Sequence, residues 1–295
     1  MILNHPYYYL YYNQLVGGLN GAYGNYETDY YYNTIREESE WLKNYLKSTK
    51  KEGPITVASN FSVNWYFRNH PGIKSIYCQY DQRSQYDWDY MVVANSYIPA
   101  VQLQNKNWPP KNAIHVLYAD NVPIGAIFKR ETKLDLQGYQ ELKMGNFNTS
   151  AQFFSDALKK NDQDELIFYN FATVLVNQGK IDSAQAMLKS GLKINPGYEP
   201  ALMYLGNIAV FQNNPHEAIG YYKTILDYNR KYDEAYLGLS KLFLESDVKQ
   251  ARALLKSCLI LDPKYTPAIR MLADSYRKSD PEVAKKYDEL ANSYK

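Results

Sequence analysis

Residues 201–229 read ALMYLGNIAVFQNNPHEAIGYYKTILDYN, and the spacing of four of them decides the fold. Gly206 is followed by Ala218, then by Tyr222 and Ile225. Shifted by about 34 residues in either direction, the same residue classes return. Small residues stand at Gly138, Ala172, Gly206, Ser240 and Ala273, and again at Ser150, Ala184, Ala218, Ala251 and Ala284. A large apolar residue follows at Phe154, Leu188, Tyr222 and Leu255, then Ala157, Gly191, Ile225, Cys258 or Ala291. Pro196 and Pro263 close the second and fourth copies, and Asp162 and Arg230 hold that place in the first and third.

Packing explains the pattern. Two helices of one copy touch where side chains must be small, the larger residues fill the layer shared with the next copy, and proline ends a helix. Each copy leaves an apolar face that only a neighbour can bury, so copies come stacked. The region resembles the tetratricopeptide repeat, two antiparallel helices per unit. Five units are expected, at about 131–164, 165–198, 199–232, 233–265 and 266–295. The fifth has Asp288 where a large apolar residue is expected, which suits an end facing solvent. The resemblance implies an all-α superhelix, an α-solenoid, for the second half of the chain.

The 295 residues have room for a second domain, 1–130, and 45% hydrophobic content suffices for real cores. Residues 1–130 carry 12 basic and 10 acidic side chains, and residues 131–295 carry 21 of each. Neither half has the basic excess of a nucleic-acid binder. Cys78 and Cys258 lie in different halves without metal-type spacing and read as small buried apolar groups. Tyrosine is the outlier: 18 of the 31 fall in residues 1–130. Such density fits a shallow surface, a binding face or a membrane interface, and composition does not choose among them. There is no apolar run long enough to span a bilayer, and Met1-Ile2-Leu3-Asn4-His5-Pro6 lacks the pattern of a signal peptide.

Residues 5–33 contain Gly17, Gly18, Gly21 and Gly24, which rule out a long regular element and favour turns with unusual backbone angles. Thr34 to Lys47 has helical spacing, with Ile35, Trp41, Leu42, Tyr45 and Leu46 inward and Arg36, Glu37, Glu38 and Lys43 outward. Strands are expected at 55–59, 74–80 and 89–94, with a helical piece at 62–69 and a brief helix at 99–105 before the Trp108-Pro109-Pro110 corner. Residues 113–119 and 124–129 form a hairpin across Asp120-Asn121-Val122-Pro123. The first domain is therefore a small, Tyr-rich α/β sandwich, and the chain as a whole is α+β. No Gly/Ser or Pro-rich spacer precedes the first repeat, so the repeats are expected to dock rigidly on the sandwich.

Asp87 and Asp89 would point to one side of an extended strand, in reach of one substrate, as would Glu27 and Asp29. Acidic residues leading into a strand are more often solvated or turn-forming. The four histidines are scattered singly, and no nucleophile elbow, phosphate-binding loop or dinucleotide fingerprint is present. The sequence offers no intact catalytic site, no metal site and no cofactor site. The repeats offer another kind of site. Carried over from the tetratricopeptide pattern, the concave positions of the first helices are Tyr169, Thr173, Asn177, Met203, Asn207, Phe211, Leu237, Lys241 and Arg270. Such a face holds a peptide by amides and apolar anchors. Tyr169 and Thr173 occupy positions where the family's chaperone-tail binders carry a carboxylate clamp, which argues against that ligand. The alternative is a face packed on the α/β domain or on another subunit.

A second resemblance concerns His5-Pro6, Tyr12-Asn13, Gly17-Gly18, Gly21-Ala22-Tyr23-Gly24 and Glu27-Thr28-Asp29-Tyr30. This segment resembles the region after the last membrane helix in bacterial membrane glycosyltransferases of the protein-mannosyltransferase-like, dolichyl-phosphate-mannose type. The later Tyr86-Asp87-Trp88-Asp89-Tyr90 and Trp108-Pro109-Pro110 fit the same arrangement. The resemblance implies a C-terminal region on the periplasmic face of the inner membrane, with residues 5–33 near the bilayer. The family's catalytic acidic residues lie among its membrane helices, so nothing here inherits them and this chain would not transfer sugar by itself. The expected function is a non-catalytic scaffold that holds an acceptor protein or partner. The alternative is a free-standing adaptor, cytoplasmic or periplasmic, whose groove binds a peptide. An enzyme using Asp87 and Asp89 ranks last.

Overall fold

The computed structural model describes residues 17–26, 33–50 and 53–294. They divide into two compact units, Met1–Pro196 and Gly197–Lys295. Much of the His5-to-Tyr30 segment lies outside the described residues.

The first unit is built on a five-stranded sheet. Its strands are β1 (Ile55–Ser59), β2 (Ile73–Tyr77), β3 (Tyr90–Ala94), β4 (Ala113–Ala119) and β5 (Val122–Lys129). They lie in the order β2-β1-β3-β5-β4. β1 runs parallel to both β2 and β3, whereas β5 is antiparallel to β3 and β4. Alternation assigns the two faces. Val57, Tyr90, Val92, Ala94 and Ile127 pack with Ile35, Leu42 and Leu46 of α2 (Asn33–Ser48) and Phe67 of α3 (Asn64–Phe67). Ala58, Met91, Val93, Ala126 and Phe128 pack on the other side with Tyr80, Trp88, Trp108 and Leu103 of α4 (Ala100–Gln104). Helical cover on both faces is the sandwich expected from the sequence. The hairpin turn is two residues long, Asp120 at φ 47° and Asn121 at φ 59°, the left-handed pair that a tight hairpin requires.

The glycine-rich stretch behaves as its composition dictates. A five-residue helix α1 (Gly18–Ala22) is framed by Gly17 at φ 83° and Gly24 at φ 74°. Leu19 packs on Ala119, Val122 and Ile124. A Cβ on Gly24 would meet Gln104 Cγ at 2.8 Å, so glycine serves there both the backbone angle and the close approach.

Two expectations need correction. β2 stops at Tyr77, and residues 80–85 turn into a 3-10 helix instead of prolonging the strand. Glu38 does not face outward: it is fully buried, with its carboxyl against the backbone of Gly125, where a Cβ would lie 2.6 Å from Glu38 Cδ. Gly125 leaves the space that lets a charged residue join the inner face of α2.

Among the described residues, ten helices follow as five pairs. In the first unit these are α5 (Leu134–Lys143) with α6 (Phe147–Lys160), and α7 (Glu165–Asn177) with α8 (Ile181–Ile194). The second unit holds α9 (Glu199–Phe211), α10 (Pro215–Tyr228), α11 (Asp233–Phe243), α12 (Val248–Leu261), α13 (Thr266–Tyr276) and α14 (Pro281–Ser293). The positions that recur in the sequence are the crossing points. Ala172, Ala184, Leu188, Ala218, Ile225, Ser240, Ala251, Leu255, Cys258 and Ala273 are all buried. A Cβ on Gly138 would lie 3.0 Å from the Phe154 ring, and one on Gly206 would lie 2.8 Å from Tyr222 Cδ1. Small residues on α5 and α9 thus seat the large residue of the helix that follows each. Asp288, the odd residue of the last pair, takes an ion pair with Arg277 at 3.0 Å on the surface. Asp164, Asn214, Asp247 and Asp280 cap the helices that follow them by accepting a backbone N–H.

Candidate binding sites: the repeat faces and the arginine seam

Within the first unit, the α/β part meets the first two helix pairs through buried arginines. α5 begins only a few residues after β5, so the chain has no slack there. Arg83, on the 3-10 turn, donates through Nη2 to Asp164 Oδ1 at 2.5 Å and to Glu165 Oε2 at 3.1 Å, and through Nε to Asp164 Oδ2 at 3.2 Å. Its guanidinium lies 4.1 Å over the Tyr80 ring. Burial disfavours its charge, but Asp164 and Glu165 outweigh that and hold it firmly protonated. Arg130 donates to Asp135 Oδ2 at 2.5 Å and to the carbonyls of Tyr86 and Arg83, over the ring of Trp88. Burial pushes the Asp135 carboxyl above its ordinary range, with Arg130 opposing. A cavity of about 210 Å³ lies along this seam, lined by Tyr80, Trp88 and Phe128 on one side and by Asn161, Gln163 and Ile167 on the other. Arg83 pairs there with Asp164 and Glu165, and Arg130 with Asp135, so these ion pairs latch the α/β part to α5 and α7.

The paired carboxylates do not converge. Asp89 Oδ2 accepts from the Thr56 backbone N–H at 2.8 Å and fastens β1 to the start of β3. Asp87 stands in solvent on Lys133 at 2.5 Å. The segment before β3 bends after the 3-10 turn, so the alternation of an extended strand does not apply to it. Glu27 and Asp29 lie outside the described residues. Among the described residues no group of three or more His, Cys, Asp or Glu side chains could hold a metal ion.

The repeat-face residues divide between the units. On α7, Thr173 Oγ donates to the Tyr169 carbonyl and Asn177 Nδ2 to the Thr173 carbonyl, so both polar groups are turned back onto their own helix. Tyr169 is half-buried. In the second unit the face is more available. On α9, Met203 is half-buried, Asn207 is exposed and Phe211 is 81% exposed. Leu237 and Lys241 hold the equivalent register on α11, and Arg270 holds it on α13, with both cations exposed.

Asn207 is held from beneath. The Tyr222 ring is buried between Gly206 on α9 and Gly238 on α11, and its hydroxyl donates to Asn207 Oδ1 at 2.8 Å. With its oxygen occupied, the Asn207 amide has a fixed orientation and its N–H₂ remains to donate. The repeat pattern alone gives no sign of this support. The signal is the Tyr222 hydroxyl, where the matching positions carry Phe154, Leu188 and Leu255.

Residues 141–208 match the family model of the tetratricopeptide repeat. None of the curated proteins is similar to the chain. Among solved structures, the crystal structure of MamA is 18% identical, over 53% of this chain and 93% of that one, with a TM-score of 0.48. MamA from Desulfovibrio magneticus RS-1 is 15% identical over 55% and 92%, with a TM-score of 0.48. YrrB, described as a TPR protein with an unusual peptide-binding site, is 17% identical over 56% and 87%, with a TM-score of 0.46. The match runs from the end of α5 into α9, and the helix pairs that follow have the same two-helix form.

Proposed function

We propose that the chain is a scaffold that holds a peptide segment of a partner protein on the first-helix face of α9, α11 and α13. The observation that carries this reading is the arrangement on α9: Phe211 lies open to solvent one helical turn from Asn207, whose amide is pinned by a buried tyrosine. An exposed apolar anchor next to a fixed amide donor is what an extended peptide needs, one for a side chain and one for a backbone carbonyl. Lys241 and Arg270 add positive charge at the neighbouring register positions and favour a segment with an acidic residue.

The finer reading is that this scaffold is the non-catalytic, extracytoplasmic C-terminal region of a membrane glycosyltransferase and presents its acceptor or a partner subunit. The His5-Pro6 to Asp29-Tyr30 motif supports it. A free-standing adaptor would use the same face. In-frame genomic sequence upstream of codon 1 separates the two. A series of apolar segments supports the transferase, and a ribosome-binding site supports the adaptor.

The face itself is tested by panning the full chain against a peptide display library. Enrichment of one motif, lost in Asn207→Ala and in Phe211→Ala, supports the reading. A motif that binds both variants as well as the wild type contradicts it.

A further inference from the structure

A second surface, on the α/β part, carries a charge pattern that the scaffold reading does not use. Along α2 the cations Arg36, Lys43 and Lys47 recur at intervals of seven and four residues, one stripe about 16 Å long at 1.5 Å per residue. Two shallow hollows adjoin this stripe. One is ringed by Arg36, Lys43, Trp65 and Arg68, and the other by Lys43, Lys47, Lys50 and Ile73, with His70 shared between them. Five cations therefore stand around the two hollows against one carboxylate, Glu40, which Lys43 engages. The whole chain has a net charge of only +2, so this face concentrates what the rest of the molecule cancels.

Trp65 sits at the edge of this face and is 66% exposed, against 6% for Trp88 and 2% for Trp108. The Arg68 guanidinium lies 3.3 Å over its ring. That contact covers one face of the indole. A nucleic acid would want the ring face for base stacking. A bilayer wants the indole edge at headgroup depth, with cations beside it for the phosphates.

We propose that the α2–α3 face of the α/β part rests on an anionic phospholipid surface, with Arg36, Lys47, Lys50 and Arg68 on the headgroups and Trp65 at the interface. This surface is separate from the Tyr-rich segment at residues 5–33 and does not depend on the peptide-binding reading.

The experiment is co-sedimentation of the full chain with vesicles of phosphatidylcholine alone and of phosphatidylcholine with about one-third phosphatidylglycerol, with tryptophan emission recorded in parallel. The expected result is binding to the anionic vesicles only, with a blue shift, and release at about 1 M NaCl, where the screening length is about 3 Å. Arg36→Glu/Arg68→Glu should bind at least tenfold more weakly while keeping the far-UV spectrum of the wild type. Trp65→Phe should still bind but lose most of the shift, because Trp88 and Trp108 are buried and Trp41 is half-buried, stacked on Tyr45 and His115. Equal binding to neutral vesicles, no binding to either, or full retention by the charge-reversal pair would overturn the proposal. So would tighter binding to a single-stranded oligonucleotide than to anionic vesicles.

Discussion

The contact between Gly206 and Tyr222 makes one chemical change have opposite effects at two places. A glycine inside a helix costs about 1 kcal/mol relative to alanine. At Gly220, on α10, a new Cβ would meet nothing within 4 Å, so Gly220→Ala should stabilise the chain by about 0.5–1 kcal/mol. At Gly206 the same methyl would stand 2.8 Å from Tyr222 Cδ1 and 2.9 Å from Cζ. The ring cannot retreat, because on its other side a Cβ at Gly238 would lie 2.8 Å from Cε2, so the space there admits only glycine. Overpacking of this kind costs about 1–3 kcal/mol, and displacing the ring also weakens the hydroxyl bond to Asn207, worth about 0.5–1.5 kcal/mol. After the propensity gain, Gly206→Ala should be destabilising by roughly 1–3 kcal/mol, and Gly206→Leu by at least as much. Urea unfolding of the full chain, followed by circular dichroism, gives both values with their signs. Tyr222→Leu should restore part of the loss in Gly206→Ala, with a coupling of about 0.5–3 kcal/mol. If Gly206→Ala were as stable as Gly220→Ala, the helix register and the role of Tyr222 would both be refuted.

Three further outcomes are expected. Arg83→Met removes the partner of the buried Glu165 and the half-buried Asp164 and should destabilise the first unit by about 3–5 kcal/mol, measured by denaturant unfolding; a loss under about 1 kcal/mol would mean that the seam is not a latch. Burial pushes the Cys78 thiol up to about 11, and burial with a bond to Asp233 pushes Cys258 up to about 12, so native protein at pH 8 should resist iodoacetamide while urea-unfolded protein reacts at both; fast native labelling would contradict the packing. Burial raises the Glu199 carboxyl, which favours its protonated form in the folded state, so the stability it lends is present at low pH and falls as pH rises from its ordinary range through the raised value. Glu199→Gln should remove that part of the slope in a pH series of urea midpoints, and an unchanged slope would count against it.

The repeats are legible in the sequence because their packing depends on single positions. A small residue on one helix answers a large one on the next, and that pairing is written at fixed spacing, as at Gly138 with Phe154 and Gly206 with Tyr222. Four of the five strands are legible to within a residue or two from β-branched runs between turn residues; β2 is not, for want of a local signal marking the 3-10 turn after it. The features that escape are non-local. Nothing near Glu38 announces that Gly125 leaves room for it. Arg83 reaches Asp164 and Glu165 across more than 80 positions of sequence. The alternation of a strand misplaces Asp87 and Asp89, because they stand in a bend, where side-chain direction follows the turn and not the count. On α9 the residue types of the candidate face are legible, whereas the hydroxyl that orients Asn207 comes from the second helix of the pair.

Binding on the first-helix face is tested by photo-crosslinking with benzoylphenylalanine placed at Phe211 in one variant of the full chain and at Ile260 in another, using the panned peptide. Ile260 is 79% exposed, on a second helix, and serves as an apolar surface of equal access away from the proposed face. The peptide should be captured at Phe211 and not at Ile260. Capture at Ile260, or equal capture at both, would contradict binding on the first-helix face.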